Sequence, residues 1–508
     1  MMTVNISEPV PLSASVSKRF YEAVIFLYCL IAVNFKNKTT KTPDLETTSG
    51  KSPKDEFFCF VNKLGQICDS QRGGDTITAF AILQPGSIEY RFASNNRDQQ
   101  SLDKVKAYIT DIITTLGQTP DAGLGEAFQQ ILGMVLAFNR PRIGIYITAM
   151  NMEFEFCIMS CEKDGTTEAK SAAEELVNLR KLAEAAAQAS ASNKSFTVTS
   201  QKLFAAINDL YASPFDDFTR IKARQDQDPE NRTPWAKLRH SLGRLQSYNI
   251  AVKVLITLRR RRQELFEDFE VVPIPSSGPG HTPNVRRCAD GIARRMNSLH
   301  ETPAYKNHAP YLKQIGLDDA IKKAAKPTEF QPIVHAEINL LDSILSDEQT
   351  YGESLRFFGE SNWGKYIGCS KPTCRLCQLY FSAHPSDVQV RLSHQNVYYK
   401  WRPPNVYEHQ GTKVKDRREK ILEKMIDTVR TVTERTISDQ VAQRKTHDSF
   451  TTPSNPLRST LFTGSVTRDS VDDLVSSFGG MDLRSVRELL DDDVGEEEGN
   501  SSLETERD

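Results

Sequence analysis

A histidine and a glutamate two residues apart, in "VHAEINLL" from Val334, are followed by two cysteines three apart, in "GCSKPTCRLCQLYF" from Gly368. This arrangement leaves the chain few ways to fold. Residues at i and i+2 do not share a helix face, so His335 and Glu337 can aim into one pocket only from the mouth of a helix. The flanks fit that placement. "FQPIV" is extended in character, Pro332 disfavours helix before it, and Ile338, Leu341, Ile344 and Leu345 follow at helical spacing. Cys374 and Cys377 are helical neighbours, and "KYIGCS" before them reads as a strand. Both motifs therefore sit at strand-to-helix corners. Two such corners from adjacent strands meet at the strand ends, where open α/β sheets place their ligands. An α/β fold follows.

The chemistry follows from the residue types. A helix N-terminus favours negative charge and helps thiols ionise. Two thiolates and an imidazole suit zinc. Three protein ligands leave the fourth position of a tetrahedral ion open to water, which marks a catalytic site rather than a structural one. Bound zinc lowers the pKa of that water from about 15.7 toward about 7, and Glu337 stands where a proton shuttle is needed. Two residues compete for the fourth position. Cys369 lies on the presumed strand and is read as core, although its thiol at the metal would close the shell. His384, at a helix end, is read as a surface cap.

Size and composition fit a multi-domain globular protein. The chain has 508 residues, a net charge of -2 and 39% hydrophobic residues, so nothing global draws it to nucleic acid or membrane. Nine cysteines, an odd and scattered set, read as thiols of a reducing, intracellular compartment, cytoplasmic or nuclear. The apolar run "AVIFLYCLIAV" (23–33) falls short of the roughly 20 residues a bilayer needs and reads as a buried helix or strand, with a targeting segment as the alternative.

The expected organisation is an N-terminal segment and linker (1–56), a mixed α/β unit (57–165), a helical region (166–270), the motif-bearing domain (271–410), a charged helix (411–444) and an acidic, disordered tail (445–508) with one short helix around "MDLRSVRELL". Within the first unit, Pro85-Gly86 between two β-rich runs predicts a hairpin. Ser101 is the expected cap of the next helix. "RIGIYITAMNMEFEFCIM", holding Cys157 and Cys161, reads as strand. "VYYKWRPP" (397–404) interleaves aromatic and basic residues. It reads as an edge strand, with base stacking and phosphate contact as its functional alternative. "RRRR" (259–262) reads as a solvated helix face paired with the acids after it, or as a nuclear signal or phosphate-contacting patch.

The His-x-Glu and Cys-x-x-Cys constellation resembles the zinc-dependent deaminase superfamily of cytidine, adenosine and related bases. With "CDSQRGGDTITAFAI" and "YRFASNN" added, the chain is similar to large uncharacterised deaminase-like proteins of filamentous fungi. The superfamily places proline directly before the first cysteine; here Thr373 stands there, with Pro372 one earlier. The resemblance implies a three-layer α/β/α deaminase-like domain in the C-terminal half. It also implies Zn2+ held by His335, Cys374 and Cys377, with Glu337 as catalytic acid and base. The expected substrate is cytosine or adenine, free or within single-stranded nucleic acid. A non-catalytic zinc-stabilised interaction scaffold is the alternative from another class, and a zinc hydrolase acting on another amidine or amide is a third.

Overall fold

The computed structural model describes residues 8–34, 52–189, 192–224, 233–281, 283–296, 299–328, 330–351 and 356–438. Helix α1 (Ala14–Asn34) carries the apolar run. Ala23 to Leu27 and Leu30 are fully buried, as a helix that is apolar all round must be. Helix α2 (Pro53–Cys68) starts inside the expected linker. "SPKDE" is a helix start: Ser52 accepts from the Asp55 N–H, Pro53 opens the first turn, and Asp55 and Glu56 meet the positive end of the dipole. The rest of the linker, 35–51, lies outside the described residues, as does 439–508, where the acidic tail and the short helix around "MDLRSVRELL" are expected.

Strands β1 (Thr78–Leu83) and β2 (Ile88–Ser94) form the hairpin around Pro85-Gly86. A helical stretch follows: α3 (Gln99–Gln118), α4 (Leu124–Phe138), α5 (Arg140–Asp164), α6 (Thr167–Gln188), α7 (Asn193–Tyr211), α8 (Phe215–Arg224) and α9 (Pro234–Arg261). Strand β3 (Phe269–Ile274) returns to the sheet. After α10 (Ala289–Ala293), α11 (Pro303–Gln314) and α12 (Leu317–Ala324) come α13 (Ala336–Tyr351), α14 (Glu360–Trp363), β4 (Tyr366–Cys369), α15 (Arg375–Ala383), β5 (Gln389–Val390) and α16 (Thr412–Ser438).

The sheet has five strands in the order β3-β2-β1-β4-β5. β1 runs antiparallel to β2 and β4, while β2 pairs parallel with β3 and β4 with β5. All strands except β1 therefore point the same way. The hairpin from 78–94 and the strands around the motifs belong to one sheet, so the boundary expected between 57–165 and 271–410 crosses continuous hydrogen bonding. The pairing of Ala79 with Cys369 makes that join.

Side chains along β1 alternate in size rather than polarity. Phe80 and Ile82, with Tyr90 and Phe92 of β2, join the core shared with α2 and α3–α9. Ala79, Ala81 and Leu83 join the opposite core, with α1, α13, α15 and α16. Both faces of the sheet are thus buried under helices, a three-layer α/β/α arrangement. Helix α2 packs directly on the sheet: a Cβ on Gly65 would lie 2.7 Å from the Ser370 nitrogen and the Thr78 oxygen, and one on Gly368 would lie 2.7 Å from Val61.

Several local expectations are corrected. Residues 140–164 are helix, not strand, because Ile143, Ile147, Met150, Phe154, Cys157 and Cys161 are buried at helical spacing. That stripe outweighs the β propensity of the individual residues. The cap of α3 is Asp98, whose carboxylate accepts from the Ser101 N–H at 2.8 Å. Residues 397–404 form no strand; one parallel bridge joins Ile333 to Trp401. The arginines at the end of α9 follow the solvated-face reading in part, with Arg260 and Arg261 exposed and Arg262 3.6 Å from Glu264, and in part are built into the fold. Arg259 donates to the carbonyls of Leu116 and Thr119, Arg261 pairs with Glu56, and Arg262 lies 5.1 Å from the Trp363 ring centre. Among the described residues, no helix is long and apolar enough to cross a membrane.

Candidate active site

The site forms at the carboxyl ends of β2 and β4, beside the start of β1. His335 immediately precedes α13, and its carbonyl accepts from the Ile338 and Asn339 N–H groups. Asn95, just past β2, accepts from the Ala336 N–H at 2.8 Å and donates to the Gly74 carbonyl at 2.8 Å. This one side chain ties the mouth of α13 to the loop before β1. Glu337 falls in the first turn of α13 and is buried.

At the second corner Cys374 is the N-cap of α15, its sulfur accepting from the Cys377 N–H at 3.4 Å. The following segment pins this corner. Thr373 donates to the Leu392 carbonyl, and His394 donates back to Thr373.

His335 Nδ1 lies 3.5 Å from the Cys374 sulfur and 3.3 Å from the Cys377 sulfur. All three ligand atoms lie within 4.8 Å of one another. In a tetrahedral zinc site, bonds of about 2.1 Å to nitrogen and 2.3 Å to sulfur put such atoms roughly 3.6 Å apart. The triad therefore fits a metal ion of that size. Burial works against the Cys374 thiolate, yet the hydrogen bond from Cys377 and the His335 charge hold its pKa well below the usual range. Burial, then the adjacent Cys374, pushes Cys377 well above it. A divalent cation between the two sulfurs relieves that opposition.

Cys369 faces the core under α13 and is buried. Its sulfur is not in the three-ligand group, although the residue borders the same cavity. His384 caps the far end of α15 but is buried rather than on the surface, its ring stacked 5.6 Å from Tyr380. Burial lowers its pKa to about 4.

Beside the triad opens a cavity of about 680 Å³. His335, Glu337 and Cys374 border it, as do Asn95, His394 and Tyr398. Burial raises the Glu337 carboxyl to about 7, with His335 holding it down. His394 Nδ1 accepts from the Asn396 N–H at 3.0 Å, so the neutral ring carries its proton on Nε2. The Tyr398 ring lies 6.4 Å from that of His335 and 5.8 Å from that of His394.

Residues 334–405 match a family model described as a deaminase-like domain, OTT_1508_deam. This segment is deaminase-like. No curated protein and no solved structure matches the chain. The deaminase-like segment supplies the triad, Glu337, His394 and Tyr398. It lacks β1, β2 and Asn95, which complete the sheet and hold the mouth of α13.

His394 carried no motif signal, Asn95 lay within the quoted "YRFASNN" without a role assigned to it, and Tyr398 lay within the interleaved segment. Asn95 sits in "ASNN", which reads as a turn, and His394 in "LSHQN", where spacing points nowhere. The interleaved segment gave a partial signal. Tyr398 and Lys400 border the cavity, whereas Trp401 is fully buried behind it.

Proposed function

We propose that this chain is a zinc-dependent hydrolytic deaminase that replaces the exocyclic amine of a nucleobase with oxygen and releases ammonia. The observation that carries the reading is the convergence of His335, Cys374 and Cys377 within 4.8 Å, with Glu337 bordering the same cavity, in a segment with a deaminase-like match.

Each group then has a task. His335, Cys374 and Cys377 hold the ion, which when bound supplies an acidified water as nucleophile. Glu337, buried in the first turn of α13, takes a proton from the attacking water and passes it to the departing amine. Asn95 acts at one remove, by fixing the backbone between His335 and Glu337. Tyr398 offers a ring face beside His335 on which a planar base can stack.

The alternative, a zinc-stabilised scaffold without catalysis, gives Glu337 no task. A closed structural shell also calls for a fourth protein ligand, and among the described residues the metal-ligating group has three members.

The test is metal analysis of purified protein together with an ammonia-release screen of nucleosides, nucleotides and single-stranded oligonucleotides, with Glu337→Ala as control. About one zinc per chain, and release that disappears with Glu337→Ala, is the expected result. Protein without stoichiometric zinc, or activity indifferent to the substitution, would defeat the reading.

A further inference from the structure

Resting on that reading, we infer that the substrate carries a phosphate group beside its base, held by the exposed cations Arg72 and Lys400 at the cavity mouth. Two separate stretches of chain bring these residues to one cavity, the loop between α2 and β1 and the segment before Trp401, and the buried Lys371 of the loop between β4 and α15 also borders it. The chain as a whole has a net charge of -2, so composition does not account for such a gathering.

The acids that border the cavity are Glu337 and Asp75. Glu337 is buried beside His335, and Asp75 accepts from the Asn96 side chain at 3.3 Å. Arg72 and Lys400 are both exposed, and neither has a carboxylate partner among the described residues. Nothing crowds the loop beside Arg72, since a Cβ on Gly73 or Gly74 would meet no atom within 4 Å.

Size points the same way. A cavity of about 680 Å³ lies within the range that encloses whole drug-sized ligands, so a bare base would leave much of it to water. A base against Tyr398, with its amine toward Glu337, leaves the sugar and phosphate to reach outward to the rim. Guanidinium and ammonium groups are the usual partners of phosphate oxygens. A mononucleotide and a nucleic-acid strand present the same chemistry here.

Binding to Glu337→Gln protein, measured at low salt without turnover, tests the inference. The probes are cytosine and adenine nucleosides, their 5′-monophosphates, and short single-stranded oligonucleotides. The phosphorylated forms are expected to bind about tenfold or more tightly than the nucleosides. The double variant R72Q/K400Q, combined with Glu337→Gln, should cut that preference to about twofold or less while keeping the unfolding midpoint. Both residues are exposed, so folding should survive. If the oligonucleotide binds best, the rim serves a strand; if the monophosphate binds best, it serves a nucleotide; either result supports the inference. Nucleosides binding as tightly as their phosphates, or a preference that survives R72Q/K400Q, would overturn it. Phosphate-dependent binding to a wild-type protein that releases no ammonia would refute the deamination reading and leave this one standing.

Discussion

The two faces of the sheet are built on different principles. On one side α3–α9 form a helical mass in which Phe154, Phe196 and Phe204 are fully buried and polar pairs such as Arg239 with Asp216 at 2.8 Å are enclosed among the apolar side chains. On the other side the site is assembled from residues far apart in sequence: Asn95, His335 and Cys374, joined through capping hydrogen bonds and short loops. The helical side can lose a contact and keep the rest, because each helix satisfies its own backbone. The site side depends on a few polar contacts that must all be correct. β1 shows the division in one strand, with large side chains toward the helices and alanines toward α13.

That contrast predicts where damage will spread. The largest effect is expected from removing a metal ligand or the ion. Cys374→Ser, or chelation, should abolish ammonia release, and hydrogen exchange should rise at 334–340 and 370–378 while α5 and α9 stay protected. Uniform deprotection would show that the two sides are not energetically separable. Next, Glu337→Ala should lower the rate by about 10²–10⁴-fold and leave zinc content and the unfolding midpoint nearly unchanged.

Paired core truncations sharpen the comparison. Phe154→Ala and Trp401→Ala should each cost about 3–5 kcal/mol in chemical denaturation, since both side chains are fully buried. Trp401 packs against Phe20 and Tyr380 behind the site, so its loss should also weaken metal retention. Phe154→Ala should not. Equal zinc loss in both variants would erase the distinction.

The smallest effect concerns Lys253 in α9. Burial lowers its pKa from 10.5 to about 8, and its ammonium donates to Asn208 at 3.4 Å. Between about pH 8 and 10.5 the unfolded chain holds the proton that the folded chain has lost, so stability should rise with pH across that window. Lys253→Met should remove the Lys253 share of the rise, leaving that of Lys63, whose pKa burial also lowers to about 8, and add about 1–3 kcal/mol near neutrality. Asn208 would still accept from Gln246 at 3.3 Å. The measurement is the unfolding free energy of both proteins from pH 7 to 10.5; a parallel rise in the variant would assign it to another group.

What the sequence made legible was local. The hairpin at Pro85-Gly86, the helices of 167–261, and the helix mouths at His335 and Cys374 all follow from turn residues, caps and periodicity within a dozen positions. Misreadings arose where two local signals competed. In 140–164 β-branched and aromatic residues mask a helical stripe, and at 98–101 both Asp98 and Ser101 are cap formers, of which Asp98 is the cap. "SPKDE" was a missed helix start of the ordinary kind.

By itself, then, the sequence determined which residues can bind a metal and that both motifs open helices, because those facts depend on chemistry and on spacing along the backbone. Tertiary structure alone decided that the N-terminal hairpin shares a sheet with the motifs, and that Asn95 ties down the mouth of α13. It also placed His394, Tyr398 and a rim of cations around one cavity. Those outcomes rest on strand pairing between segments nearly 300 residues apart, such as Ala79 with Cys369. Such pairing is selected by how both faces of the sheet pack, and no window of sequence contains that information.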